Sequence, residues 1–220
     1  AFKAPSLFQR FGTIGATFRG NPDLDPETSF SWEVGSETDV RLFGRDDFAT
    51  LGATYFDTRF RDLITFNQTF SSLANIERAR ARGVELSATV RPAAWLDLRA
   101  AWTIQQARDE TNDRPLARRP RNVATLAARI APDDRLVIVP ELLLTGRSPE
   151  TAAYADSGAF LGGVTYNKPG AVLNLTGSYR VTPQVVAYAE GRNLTGSRFE
   201  PANGFVIPGR SLLVGTRFTF

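Results

Sequence analysis

The chain has 220 residues, 42% of them hydrophobic, a formal net charge of +3, and no Cys, His or Met. These absences exclude disulfides, thiolate or imidazole metal sites and His-based catalytic triads, so neither an enzyme nor a cofactor is expected. The small, mixed charge lacks the one-sided basic surface of a nucleic-acid-binding domain; no run reaches the ~18 apolar residues of a spanning helix, which leaves a barrel open because its strands are only half apolar.

In chain order, 1–5 reads as the tail of a strand begun earlier, and no leader opens the chain, so processing or truncation is expected ahead of Ala1. Residues 6–27 are irregular, punctuated by Gly12, Gly15, Gly20 and the turn-forming Asn21-Pro22-Asp23. Phe30, Trp32 and Val34 alternate with Ser31, Glu33 and Gly35, which predicts a strand over 28–39 and a polar turn over 40–47. A strand over 48–60 and a loop over 61–73, with a short extended piece near 63–66, come next. The longest extended segment is 74–91, and 92–95 turns the chain into a strand over 96–106. A charged loop covers 107–121, and strands at 122–131 and 135–147 flank Pro132-Asp133-Asp134. After a long loop over 148–170, strands at 171–180 and 184–192 form a hairpin around Val181-Thr182-Pro183. The loop 193–208 leads to the last stretch, 209–220, where Leu212, Val214, Thr216, Phe218 and Phe220 alternate with Ser211, Leu213, Gly215, Arg217 and Thr219.

Connections therefore alternate: 6–27, 61–73, 107–121, 148–170 and 193–208 are long, while 40–47, 92–95, 132–134 and 181–183 are short. Long loops at one end and tight turns at the other predict an all-β, transmembrane, up-and-down antiparallel β-barrel, multi-pass in the outer membrane of a Gram-negative bacterium, rather than a Greek-key sandwich. The expected lipid-facing band holds Trp32, Val34, Leu98, Trp102, Ile104, Leu126, Ile130, Ile138, Leu142, Leu144, Leu173, Leu175, Val185 and Phe218. The expected lumen face holds Glu33, Glu37, Asp57, Arg59, Glu85, Asp97, Arg99, Arg129, Glu141, Glu190, Arg192 and Arg217. So many charges of both signs suit a wide lumen filled by water or a polar plug, because a small dry barrel would have to pair every one of them. Two other readings stand beside this one: a stand-alone ten-stranded barrel acting as an adhesin or enzyme, and a soluble all-β binding domain. The last would have to bury Trp32 and Trp102.

Arg78, Arg80 and Arg82 fall at spacing two ahead of Gly83. If the alternation continues, they share a face with Val84 and Leu86 and contact outer-leaflet phosphates; if Gly83 forms a bulge, they line the lumen mouth; a solvated basic rim is the third reading. Arg118 and Arg119, with Arg121, form either an attractor for an anionic ligand or a solvated loop. Tyr154, Phe160, Tyr166 and Phe199, with Phe205, lie in long loops, where they form either an apolar ligand surface or loop-on-loop packing. Asp46-Asp47 and Asp133-Asp134 fall in short turns and read as turn residues.

Several stretches, in order, resemble the C-terminal half of a TonB-dependent outer-membrane receptor. They are Phe2-Lys3-Ala4-Pro5-Ser6-Leu7, then Gly20-Asn21-Pro22-Asp23-Leu24-Asp25-Pro26-Glu27, then Ala79-Arg80-Ala81-Arg82-Gly83-Val84-Glu85. Further on come Gly191-Arg192-Asn193-Leu194-Thr195, with Thr195-Gly196 where the family more often has Asp, and Pro208-Gly209-Arg210 before the terminal strand. The resemblance implies a barrel of about 22 strands around a plugged lumen, of which residues 1–220 supply nine complete strands and the end of a tenth. It places the plug domain and earlier strands outside this chain. It implies active uptake of a scarce small-molecule or metal-chelate ligand, a ferric siderophore or cobalamin, by plug rearrangement driven through the TonB complex. The 4–12 and 20–27 segments lean toward the cobalamin-receptor-like branch. The partners implied are outer-membrane lipid and lipopolysaccharide, the ligand, and TonB through the absent plug segment.

Overall fold

The computed structural model describes every residue except 68, 70, 152 and 156, and of 77, 153, 154 and 160 it describes the backbone alone. Period-two alternation produces ten strands that pair in chain order. These are β1 (Phe2–Lys3), β2 (Glu27–Leu42), β3 (Arg45–Phe66), β4 (Leu73–Ala93), β5 (Leu96–Asp109), β6 (Asn122–Ile130), β7 (Leu136–Thr145), β8 (Gly170–Thr182), β9 (Val185–Arg192) and β10 (Ser211–Phe218). The two-residue strand Arg114–Pro115 pairs with the end of β5 and completes an 11-stranded sheet. Among the described residues the path is open, running from β1 to β10. The expected strand tail at the start is present: Phe2 faces Thr28 and Lys3 faces Glu27 in an antiparallel ladder.

The rhythm of connections holds, with corrected boundaries. Phe43 and Gly44 both adopt positive φ, 54° and 72°, the geometry of a two-residue hairpin turn. That turn needs no further residues, so β2 and β3 extend through most of the span expected as the turn 40–47. At its other end β3 continues to Phe66, and the loop expected over 61–73 shrinks to 67–72. Two side chains account for this. Glu27 Oε1 accepts the Ile64 N–H at 2.9 Å, and Asn67 Oδ1 accepts the N–H of Ser71 at 3.0 Å, folding the short loop on itself. In the 131–135 turn, Asp133 accepts the N–H groups of Leu136 and Arg135, each at 2.8 Å. Those two bonds hold its carboxyl below the ordinary carboxylate range.

The irregular segment 6–26 is more ordered than its composition suggests. Leu7–Phe11 forms a short helix, α1, closed by a capping box between Ser6 and Gln9. Thr13–Ile14 pairs with Phe18–Arg19. Within the long loop 146–169, Ser148–Glu150 pairs with Thr165–Asn167 and Ala153–Tyr154 pairs with Phe160–Leu161.

Two compact units divide the chain: 1–34, 56–83 and 106–116 form the first, and 35–55, 84–105 and 117–220 the second. In the second unit the registers place the expected band on one face. Leu98 lies opposite Ala128 and Ala100 opposite Leu126; Leu126 faces Leu142, Leu142 faces Leu173, and Val185 faces Phe218. On the other face Arg99 lies opposite Ala127, which faces Glu141. The first unit contains a small core of Phe18, Leu24 and Leu73 with Ile64 against it, and Phe18 stacks on Phe8 at 5.7 Å between ring centroids.

Large apolar side chains along the strands stay uncovered: Trp32 is 44% exposed, Trp102 45% and Leu126 46%. A soluble sheet buries such a face, whereas a barrel turns it to lipid.

Candidate functional site

The side chains of the motifs bind the backbone of loops. In the first unit Asn21 Nδ2 donates to Leu73 O at 3.1 Å, and Asn21 Oδ1 accepts the Asp23 N–H at 3.0 Å. Asn75 Oδ1 accepts the Asp25 N–H at 3.0 Å; its Nδ2 donates to Asp25 O at 3.0 Å and Asp62 O at 2.6 Å. Glu27 reaches Lys3 Nζ at 3.1 Å with the oxygen not used on Ile64. In the second unit Asn193, 4% exposed and at φ 48°, donates to Ser197 O at 2.9 Å and Pro208 O at 2.8 Å. Arg210 closes the same loop through Leu194 O at 3.1 Å and Thr195 O at 3.2 Å. Asn tolerates the left-handed backbone that most residues avoid, so the Asn193-Leu194-Thr195 motif is a loop scaffold here.

The arginine row also lies in the first unit. The hydroxyls of Ser31 and Thr58 meet at 2.9 Å, so those two residues share a face. Alternation then puts Phe30, Trp32, Asp57 and Arg59 together on the opposite face. Asp57 and Arg59 are therefore not on the lumen face where single-strand alternation put them. Arg80 Nε donates to Asp57 Oδ1 at 3.0 Å and Oδ2 at 3.1 Å, which brings Arg78, Arg80 and Arg82 to that same Trp32-bearing face. Further along β4, in the second unit, a Cβ at Gly52 would come within 2.5 Å of Ser87 Oγ.

The other candidates gather in the second unit. Arg118, at φ 59°, donates its N–H to Pro149 O at 2.7 Å and its Nε to Glu150 Oε2 at 3.0 Å. Glu150 is 1% exposed and also accepts the N–H groups of Thr151 at 3.1 Å and Asn203 at 3.3 Å. Arg118 is therefore a loop tie, while Arg119 is exposed beside it. Tyr166 is 51% exposed, with the Arg147 guanidinium 4.9 Å from its ring centre. Phe199 is half-buried over Gly170, where a Cβ would lie 2.6 Å from its ring, so it packs the loop. The backbones of Tyr154 and Phe160 face each other in their hairpin; their side chains lie outside the described residues. The sequence did not single out two further groups: Ser148 Oγ and Asn167 Nδ2, on directly opposed residues, are buried without a hydrogen-bond partner among the described residues. Glu150 was missed too, because nothing near it in the sequence marks it as an anchor. Among the described residues no group of three or more His, Cys, Asp or Glu could hold a metal ion.

What these elements define is an antiparallel sheet paired in chain order, with polar side-chain clusters tying its longer connections. The chain belongs to the TonB-dependent receptor β-barrel family: residues 1–194 match the family described as TonB dependent receptor-like, beta-barrel. Solved structures share the fold at low identity. A copper transporter, OprC, matches with TM-score 0.75 and 17% identity over 100% of this chain and 36% of its own. A variant of the ferric enterobactin receptor of Pseudomonas aeruginosa, solved with enterobactin, matches with TM-score 0.73 and 20% identity over 100% and 37%. The ferripyoverdine receptor of the outer membrane of the same bacterium, bound to ferripyoverdine, matches with TM-score 0.70 and 15% identity over 89% and 27%. The chain thus spans about a third of the length of these structures.

Proposed function

We propose that this chain is the C-terminal barrel portion of an outer-membrane active-transport receptor, not an enzyme, and that it works with a plug domain and earlier strands supplied by residues outside 1–220. The supporting observation is the family match over 1–194, on a sheet whose long loops alternate with short turns. The receptor takes up a scarce ligand of the ferric-siderophore or cobalamin class, with energy delivered by TonB through the plug. In this reading Arg119, Arg147 and Tyr166 offer exposed cationic and aromatic surface to an anionic chelate. Tyr154 and Phe160 belong to the same loop.

The test is uptake by cells carrying the full receptor, with ferric siderophores and cobalamin supplied separately as radiolabelled ligands. Accumulation of one class, abolished by an uncoupler of the proton-motive force, is expected. Accumulation of neither, or uptake indifferent to the uncoupler, overturns the proposal.

A further inference from the structure

The arginine row of the first unit lies on the Trp32-bearing face. Its neighbours there are apolar: Phe30 is 67% exposed and Trp32 44%. Asp57 is buried at 1% exposure beneath Arg80, whose fork grips both carboxylate oxygens. Arg59 stands 3.9 Å from the same carboxylate with its side chain 65% exposed. Arg82 is exposed and donates to Gln106 Oε1 at 3.3 Å. The side chain of Arg78 is exposed, and its backbone is pinned by Thr111 Oγ1 at 3.0 Å and by the Glu110 N–H at 2.9 Å. Among the described residues, Arg59 and Arg80 lie against the Asp57 carboxylate and Arg78 and Arg82 share their face, at the end of β3 and β4 that leads into the connection 67–72.

We propose that Arg59, Arg78, Arg80 and Arg82 form a docking site for the phosphate groups of an outer-leaflet glycolipid, with Asp57 as the residue that positions Arg80. The proposal rests on the outer-membrane reading above, which puts the long-loop ends of the strands at the outer leaflet. Three features select a lipid over a free anion. Alternate residues on a strand are about 7 Å apart, so the row spreads charge over more than one phosphate. Arginine matches phosphate oxygens with two parallel N–H bonds. Phe30 and Trp32 offer apolar surface on the same face, which a soluble anion would not use but an acyl chain and headgroup boundary would.

The experiment uses the full receptor in detergent, titrated with diphosphoryl lipid A, dephosphorylated lipid A or inorganic phosphate, with Tm as readout. Diphosphoryl lipid A is expected to raise Tm, and the other two are not. The variant Arg78→Gln/Arg82→Gln leaves the Asp57–Arg80 pair intact and is expected to raise the half-saturating concentration about tenfold or more. Arg78→Lys/Arg82→Lys keeps the charge and is expected to recover part of the affinity. Equal stabilisation by dephosphorylated lipid A, stabilisation by inorganic phosphate alone, or an unchanged half-saturation in the Gln variant overturns the proposal. Membrane fractionation separates the two levels: a receptor absent from the outer membrane sinks both readings, whereas one that is present and indifferent to the arginines sinks this one only.

Discussion

Segment 20–27 in the first unit and loop 146–169 in the second are both polar connections, yet they treat their buried polar groups in opposite ways. In the first, Asn21 and the facing Asn75 spend their side-chain oxygens and nitrogens on backbone groups, and Glu27 divides its two oxygens between the Ile64 N–H and Lys3 Nζ. In the second, Glu150 is tied to Arg118, Thr151 and Asn203, but Ser148 Oγ and Asn167 Nδ2 are buried with no partner among the described residues. The first is a clasp whose residues fix the chain path, and it is also where the family motif lies. The second fixes its base through Glu150 and presents Tyr166 and Arg147 outward. In the proposed receptor, scaffold and contact surface separate along this line, since a side chain committed to backbone has less left to offer a ligand.

The largest expected effect probes the clasp. Asn75→Ala removes three hydrogen bonds and strips partners from Asp25 N, Asp25 O and Asp62 O. The expected loss is about 2–3 kcal/mol, since each unmet backbone group costs on the order of 1 kcal/mol where water reaches it in part. Urea unfolding of the full receptor in detergent checks this. A change below about 0.5 kcal/mol would mean that the clasp is redundant and that the contrast with loop 146–169 has no energetic content.

Much of this layout is legible in the amino-acid sequence, because a strand with lipid on one side must alternate and its turns must break the alternation. The band from Leu98 to Phe218 is readable for that reason. Residues 48–60 are not, because Leu51 and Tyr55 fall on one parity and Phe56 and Phe60 on the other, so hydrophobicity cannot choose a face. The Ser31–Thr58 contact settles that Asp57 and Arg59 join Trp32. Helix α1 is too short to show a period, although Ser6 and Gln9 carry its capping signal. Arg118 reads as a ligand attractor because it is a cation in a long polar loop; its partner Glu150 comes from a segment 32 residues away.

That pairing gives the intermediate effect. Arg118→Ala removes the Nε donor from Glu150, which is buried and also accepts the N–H groups of Thr151 and Asn203. Burial of both partners would make this cost several kcal/mol, but Arg118 is itself half exposed, so the expected loss is about 1–2 kcal/mol. Ligand uptake is expected to fall with stability and to recover at lower temperature, because Arg118 holds the loop rather than the ligand. Lost uptake in a receptor that unfolds like the wild type would move Arg118 back to the contact surface.

The smallest effect is the most telling about the loop. Ser148→Ala deletes a hydroxyl that is buried and, among the described residues, unpartnered, while keeping the Cβ that packs there. A buried hydroxyl without a hydrogen bond costs desolvation and returns nothing, so its removal is expected to be neutral or to stabilise by about 0.5–1 kcal/mol. The same substitution at a satisfied group, such as those of the clasp, destabilises; opposite signs at the two sites would place the contrast between the regions on a measured footing. If Ser148→Ala instead destabilises by about 1 kcal/mol or more, the hydroxyl has a partner that holds the loop. Loop 146–169 is then as saturated as the clasp, and its capacity to serve a ligand rests on the exposed Arg147–Tyr166 pair alone.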